Sequence, residues 1–367
     1  MLQNPMYVVG GQQKYLRPFF ADDSNWYDYH KGIILRLESA AGTSETLVEY
    51  TSPTEVRAEG GLATLFKSAS LAGNFLYICT QTEVLVYALP DFRQVHYISL
   101  SCFNDVHHVA PTPWGTLAVA VAGMDLVQEV SLNGEMLRTW DVLGEDPWSK
   151  FSQSVDYRQI STKPHKAHPN FVFFLDDEIW ATRFCQKDAI SLEHPERRID
   201  IAVASPHDGL VHGDFIYFTT VNGTLVIANR KTLEVEARVN LNQLHDYGVP
   251  LGWCRGVLVQ DDKVWIGFSR IRPTKLRENV EWLKRSVKST IQPVLPDKFK
   301  SNSRWLTGKV KRELPTHIAC YDLSNGRCVQ EVNIEPHGIS AIFGMYIEQP
   351  VGIRKQAMPA SIRAESA

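Results

Sequence analysis

Residues 108–130, HVAPTPWGTLAVAVAGMDLVQEV, and residues 207–229, HDGLVHGDFIYFTTVNGTLVIAN, decide the fold because they share one pattern at an offset of 99 residues. Each stretch begins with a histidine, runs through a short apolar segment, turns, and returns through further apolar segments. Short apolar runs that alternate and are separated by Gly, Asn and Asp turns are typical of β-strands. Many such strands at even spacing predict a sandwich, a barrel or a propeller.

The same frame recurs four more times along the chain, and each time a polar residue precedes an apolar strand by nine positions. The six matched positions are Lys67, His108, Asn170, His207, Arg255 and His337. Units of about 40 residues are the period of β-propeller blades. The sequence therefore predicts an all-β fold, a six-bladed β-propeller of four-stranded units. Two stacked sandwiches aligned by chance are the alternative.

The sixth frame also predicts how the ring closes. The unit that starts at His337 has room for two strands, up to about Gln349. Residues 32–38 and 46–51 would supply the missing pair, so that blade one combines both chain ends and leaves no open sheet edge. We therefore predict one propeller domain over residues 1–352, followed by a disordered tail over 353–367.

In blade length and blade number, the chain resembles six-bladed propellers of the NHL and gluconolactonase-like kind. This resemblance covers most of the chain and is architectural. It implies the fold and transfers no residue roles.

Composition narrows the class of protein. The formal net charge is −3, which does not favour nucleic-acid binding by the chain as a whole, and the six cysteines form no CxxC pair. No basic start with an apolar run marks a signal peptide, and no stretch of about 18 apolar residues is present to span a bilayer. These features predict a cytoplasmic protein with reduced thiols. The lack of a glycine-rich phosphate loop argues against a nucleotide cofactor.

The matched polar positions predict a site at one mouth of the central channel, because the first strand of each propeller blade lines the axis. Three histidines alternate around this ring, and neutral imidazoles bind Zn²⁺, Fe²⁺, Mn²⁺ or Cu²⁺. The predicted metal ligands are His108, His207 and His337, with His168 as a possible fourth. By strand parity, His107 should point away from the channel and pack between blades.

Other residues of the ring suggest further roles. Lys67 and Arg255 would hold a carboxylate, phosphate or sulfate of a substrate, and with His108 and His207 they form the predicted catalytic set. Asp105, Asp208 and Asn170 would orient the imidazoles or contact substrate. Three alternatives remain open: an anion-binding collar, a metal-free site with a histidine base, and a water-filled channel that polar residues simply line.

Two long loops fall on the face where the inner strands begin. One runs over residues 143–166, and the other is an insertion in blade six, residues 270–314, with a net charge of +9. Apolar residues at helical spacing within the insertion predict a short basic amphipathic helix. Its candidate partner surface comprises Arg270, Arg272, Lys284, Arg285 and Trp305. Such an arm suits an acidic polymer, an anionic membrane surface, a protein partner or an anionic substrate.

Together these features predict a metal-dependent enzyme, of hydrolase, lyase or oxidase type, acting on a small anionic or polar substrate at the channel mouth. The alternative is a non-catalytic scaffold that binds an acidic partner through the basic insertion.

Overall fold

The computed structural model describes residues 5–13, 29–40, 42–57, 64–271 and 314–348. Within these ranges, 24 strands form six four-stranded antiparallel sheets, which are the blades of a propeller. Blade one contains β24 (Ala341–Ile347), β1 (Met6–Gln13), β2 (Tyr29–Glu38) and β3 (Thr43–Tyr50). Blade two contains β4 (Ala69–Ala72), β5 (Phe75–Cys79), β6 (Val84–Ala88) and β7 (Arg93–Ile98). Blade three contains β8 (Val106–Pro111), β9 (Leu117–Val121), β10 (Leu126–Val130) and β11 (Met136–Asp141). Blade four contains β12 (Pro169–Leu175), β13 (Glu178–Arg183), β14 (Asp188–Ser191) and β15 (Arg198–Asp200). Blade five contains β16 (Pro206–His212), β17 (Phe215–Thr220), β18 (Thr224–Asn229) and β19 (Val235–Asn240). Blade six contains β20 (Trp253–Gln260), β21 (Lys263–Ser269), β22 (His317–Asp322) and β23 (Arg327–Asn333).

This architecture confirms the six-bladed propeller and the closure of blade one by both chain ends. The predicted two-plus-two division of blade one is wrong, because one C-terminal strand pairs with three N-terminal strands in the order β24-β1-β2-β3. Strand β1 takes the second place in the blade, with Met6 opposite Ile347. His337 does not begin a strand; it ends a short 3₁₀ helix, Glu335–His337, that precedes β24.

The apolar core is divided among the junctions between neighbouring blades. Cysteine, valine and leucine side chains of blades two and three form one such cluster, and Trp265 packs into the cluster between blades six and one. Strand β9, LAVAV, is buried at every residue, whereas the outer strand β11 is largely exposed. Inner strands bury both faces because a blade lies on each side of them, so their sequences read as continuous apolar runs.

The first strands of adjacent blades contact one another around a closed ring, which places their N-terminal ends together. In the described part of the chain, three further 3₁₀ helices occur in connections, at Thr54–Val56, Ala122–Met124 and Leu241–Leu244. Among the helices in the described ranges, none is long and apolar enough to cross a lipid bilayer. The predicted basic helix, with Arg272, Lys284, Arg285 and Trp305, lies outside the described residues, as does the predicted tail.

Candidate functional site

A cavity of about 350 Å³ opens where the inner strands begin. Its size is that of a small-molecule site. Five blades place side chains in its wall at or near the first residues of their inner strands, and residues 158–163 of the loop that precedes blade four also line it. The lining residues that carry the chemistry are Lys67, Asp105, His107, His165, His168 and Arg255.

A β-bulge decides which histidine of blade three faces this cavity. In β8, Val106 pairs with Val121 and His108 pairs with Ala120, so His107 is an extra residue between two paired ones. A bulge of this kind re-aims side chains relative to regular alternation. His107 therefore lines the cavity, and His108 does not. The predicted orientation of the two side chains is reversed.

His108 joins blades instead of facing the channel. Its Nε2 lies 3.1 Å from both Ser70 Oγ and the Ala69 carbonyl oxygen, and its Nδ1 accepts a hydrogen bond of 3.1 Å from the Val172 N–H. The ring stacks on Phe171 at 3.6 Å between centroids. Both ring nitrogens are thus engaged within the protein, which leaves neither of them for the predicted metal ligation or catalysis.

Three other predicted positions also lie away from the cavity lining. His207 is buried, and its Nε2 has no hydrogen-bond partner. Asn170 donates from Nδ2 to the Pro206 carbonyl at 2.8 Å and so ties blade four to blade five. His337 lies in the turn before β24. The structure therefore brings only Lys67 and Arg255 of the six matched positions into the cavity wall.

Asp105 lies at the centre of the polar wall. Its Oδ1 is 2.5 Å from Lys67 Nζ and 3.6 Å from His107 Nε2. Burial alone would raise the pKa of Asp105, but the ammonium of Lys67 and the neighbouring His107 hold that pKa well below its usual range. The carboxylate is therefore ionised at neutral pH. Asp105 has a left-handed backbone, φ 49°, a conformation that concentrates at functional sites.

His165 and His168 stand next to Asp105. Their Nδ1 atoms are 2.7 Å apart, and the His168 ring also meets the edge of His107 at 4.5 Å between centroids. Burial lowers the pKa of both His165 and His168. Burial, followed by the charge of Lys67, lowers the pKa of His107 to about 3. All three rings are therefore neutral at pH 7, which is the form that binds metals.

The segment that carries His168 is fixed by one carboxylate. Asp125 accepts hydrogen bonds from the backbone N–H groups of Lys166, Ala167 and His168 at 2.8, 2.9 and 2.7 Å. Like Asp105, His168 has a left-handed backbone, φ 55°. Backbone anchoring of this kind sets the direction of the imidazole.

Asp105, His165 and His168 together form a candidate metal centre. One donor atom from each lies within 4.8 Å of the other two. Two imidazoles and one carboxylate form a donor set used by non-haem iron and by catalytic zinc, and it leaves coordination positions open. The side chains fit a divalent transition metal. Of the predicted metal ligands, only His168, the possible fourth one, belongs to this group.

Arg255 supplies positive charge to another part of the wall. Its guanidinium lies 4.7 Å from the Phe343 ring centre, and its buried Nε has no hydrogen-bond partner. Among the residues that the structure describes, no carboxylate forms an ion pair with Arg255. A cation in such a place favours an anionic ligand.

Asp208 supports the strand that carries Arg255 and does not line the cavity. Its Oδ2 accepts hydrogen bonds from Thr219 Oγ1 and, at 3.0 Å, from the Gly256 N–H. Burial raises the pKa of Asp208 to about 6.

Arg270 of the predicted partner surface is ion-paired with Glu335.

Sequence reasoning missed His165 and assigned His107 to the wrong side. One signal was available, because His168 directly precedes the inner strand β12 and His165 lies three residues before His168. Lys67 and Asp105 likewise lie just before the inner strands β4 and β8. The bulge at His107 has no comparable signature in the sequence.

Comparisons with known proteins show the fold alone. No protein-family model and no curated protein matches the chain. A protein of unknown function from Bacteroides caccae superposes with a TM-score of 0.55 at 14% identity, over 95% of this chain and 100% of that one. A streptogramin B lyase has a TM-score of 0.41 at 11% identity, over 71% and 83% of the two chains. A computationally designed protein, Ika8, has a TM-score of 0.36 at 11% identity, over 64% of each. By its six four-stranded sheets, the chain is a six-bladed β-propeller with a group of possible metal ligands at its channel mouth.

Proposed function

We propose that the protein is a metal-dependent enzyme that acts on a small anionic substrate in the cavity at the channel mouth. The observation that carries this proposal is the convergence of Asp105, His165 and His168 in a cavity whose wall also holds Arg255. Donors for a metal and a cation for an anion thus share one space of small-molecule size.

Each residue has a distinct role in this proposal. Asp105, His165 and His168 hold a divalent metal ion, which when bound polarises a substrate oxygen or activates a water molecule. Arg255 binds the anionic group of the substrate through charge-assisted hydrogen bonds. Lys67 is not free for the substrate role predicted for it, because its ammonium is bound to Asp105. It orients that carboxylate instead.

His107 is a candidate substrate contact beside the metal ligands. Its ring lines the cavity and has Nε2 3.6 Å from Asp105 Oδ1. Because burial and the charge of Lys67 lower its pKa to about 3, the ring is neutral at pH 7 and is too weak a base to take up a proton there. Its role in this proposal is to form hydrogen bonds with the substrate or with water.

The test is metal binding by protein prepared without a histidine tag. After chelator treatment, the protein should take up Zn²⁺, Fe²⁺ or Mn²⁺. His168→Ala and His165→Ala should each lose about one equivalent relative to the unaltered protein. His212→Ala, which removes an exposed histidine, should keep the full metal content. Unchanged metal content in both site variants, each shown to be folded by circular dichroism, would overturn the proposal.

A further inference from the structure

A second group of possible ligands lies away from the cavity, where blade five connects to blade six. His245 directly follows the 3₁₀ helix Leu241–Leu244 of that connection, and His317 is the first residue of β22. Cys328 and Glu331 both belong to β23, the outer strand of blade six. Three separate segments of chain thus meet at this point.

A bulge in β23 brings its two residues to the same face. Gln330 pairs with Cys320 and Cys328 pairs with Tyr321, so Val329 is an extra residue. In a regular strand, residues three apart point to opposite faces. The extra residue places Cys328 and Glu331 together, and one donor atom each from Cys328, Glu331 and His245 lies within 4.8 Å of the others.

Both histidines direct a ring nitrogen at Glu331. Its Oε1 lies 3.6 Å from His245 Nδ1 and 3.9 Å from His317 Nε2. These separations are slightly longer than the distance of about 3.4 Å between neighbouring donors in a tetrahedral zinc site with metal–ligand bonds of about 2.0–2.1 Å. Because the donor atoms of His245, Cys328 and Glu331 lie within 4.8 Å of one another, the side chains must move inward to close the site around an ion.

The second nitrogen of each ring is held by the protein. His317 Nδ1 lies 2.7 Å from the Pro315 carbonyl oxygen, which can only accept, so Nδ1 carries the proton. In the neutral ring, Nε2 then bears a lone pair. His317 is 5% exposed, and this Nε2 has no hydrogen-bond partner. His245 Nε2 lies 2.9 Å from Tyr321 Oη. Hydrogen bonds of this kind are what orient metal-bound histidines.

We propose that His245, His317, Glu331 and Cys328 form a structural site for Zn²⁺. The buried lone pair of His317 Nε2 and the exposed carboxylate of Glu331 face each other and are mutually repulsive, and a cation between them removes that repulsion. Nitrogen, oxygen and sulfur donors are those that zinc binds, and four protein ligands leave no open position. The ion would tie the connection between blades five and six to the outer strands of blade six.

Cobalt(II) is the probe because it binds in zinc sites and because its absorption spectrum depends on the ligands that coordinate it. The His168→Ala protein is the background, so that the cavity site contributes nothing. Cobalt(II) added to this metal-free variant should bind at about one equivalent and give a thiolate-to-metal band in the near ultraviolet. Zn²⁺ should displace it and raise the melting temperature.

Matched variants identify the ligands. In the same background, Cys328→Ser should abolish the near-ultraviolet band, whereas Cys185→Ser, which alters an exposed cysteine, should leave it intact. Glu331→Gln should weaken cobalt binding by at least about tenfold. The proposal is overturned by the absence of a thiolate band, by a band that survives Cys328→Ser, or by cobalt binding that Glu331→Gln does not change. None of these results bears on the cavity site.

Discussion

His165 and His168 share one hydrogen bond between their Nδ1 atoms, 2.7 Å apart. One ring must donate and the other must accept, so without metal the two rings are different tautomers. A metal held by both Nδ1 atoms requires both protons on Nε2. We therefore expect nitrogen-15 spectra, with the signals of His165 and His168 assigned from the His165→Ala and His168→Ala variants, to show one Nδ1–H among these two rings in the metal-free protein and none after saturation with Zn²⁺. Retention of that Nδ1–H signal at saturation would place the metal elsewhere.

Asp125 should control both stability and metal affinity. Its carboxylate accepts three consecutive backbone N–H groups that lead into His168. Asp125→Asn keeps a residue that tolerates the left-handed backbone, φ 58°, but removes the charge and part of the acceptor capacity. We expect a loss of about 2–3 kcal/mol in the free energy of unfolding and a decrease of about tenfold or more in metal affinity.

The control for Asp125 is Asp214→Asn, an exposed acid in the turn between β16 and β17. Its effect on the free energy of unfolding should stay within about 0.5 kcal/mol. Urea titration followed by fluorescence gives both values. Equal effects of the two substitutions would show that the Asp125 contacts do not hold the segment.

Arg255 should account for the response of the protein to small anions. Sulfate or phosphate that binds the folded state raises its melting temperature. We expect this increase in the unaltered protein and its loss in Arg255→Met, compared with chloride at equal ionic strength. Lys231→Met, which removes an exposed cation, should retain the increase. An identical anion response in both variants would remove Arg255 from the anion site.

His108 should make the protein less stable as the pH falls. Burial lowers the pKa of His108 to about 3, whereas an unfolded histidine titrates near 6.5. Between these values the unfolded chain binds a proton that the folded protein does not, so the free energy of unfolding decreases as the pH is lowered. The contribution of this residue is about 1.4 kcal/mol per pH unit.

His108→Gln tests this dependence because an amide can both donate and accept hydrogen bonds but does not titrate. We expect lower stability at pH 7 and a dependence on pH that is shallower by about 1.4 kcal/mol per unit below pH 6. Urea midpoints measured across this range give the slope. A slope equal to that of the unaltered protein would mean that His108 is not held neutral.

The repeat made the ring of blades predictable, and local irregularities made the site unpredictable. Continuous apolar runs result from burial on both faces of strands that lie between neighbouring blades, and this pattern extends over whole strands such as β9. The orientation of a single side chain depends on one extra residue, as at His107, and nothing in the local composition marks such a bulge. Lys67 and Arg255 lie in the cavity wall, whereas the placement of His207 and His337 depended on a register that inner strands do not keep.

Because strands from both chain ends form blade one, this blade can be completed only after β24 has been synthesised. Strand β1 pairs with β2 on one edge and with β24 on the other, and about 330 residues separate β1 from β24 along the chain. At about 5–20 residues per second, a ribosome needs roughly 15–65 s to make that length. Throughout this interval, the inner edge of β1, which later pairs with β24, has no partner from its own chain and is open to pairing with neighbouring nascent chains. The rate of synthesis and the supply of chaperones should therefore have a larger effect on the yield of folded protein than the stability of the folded state has.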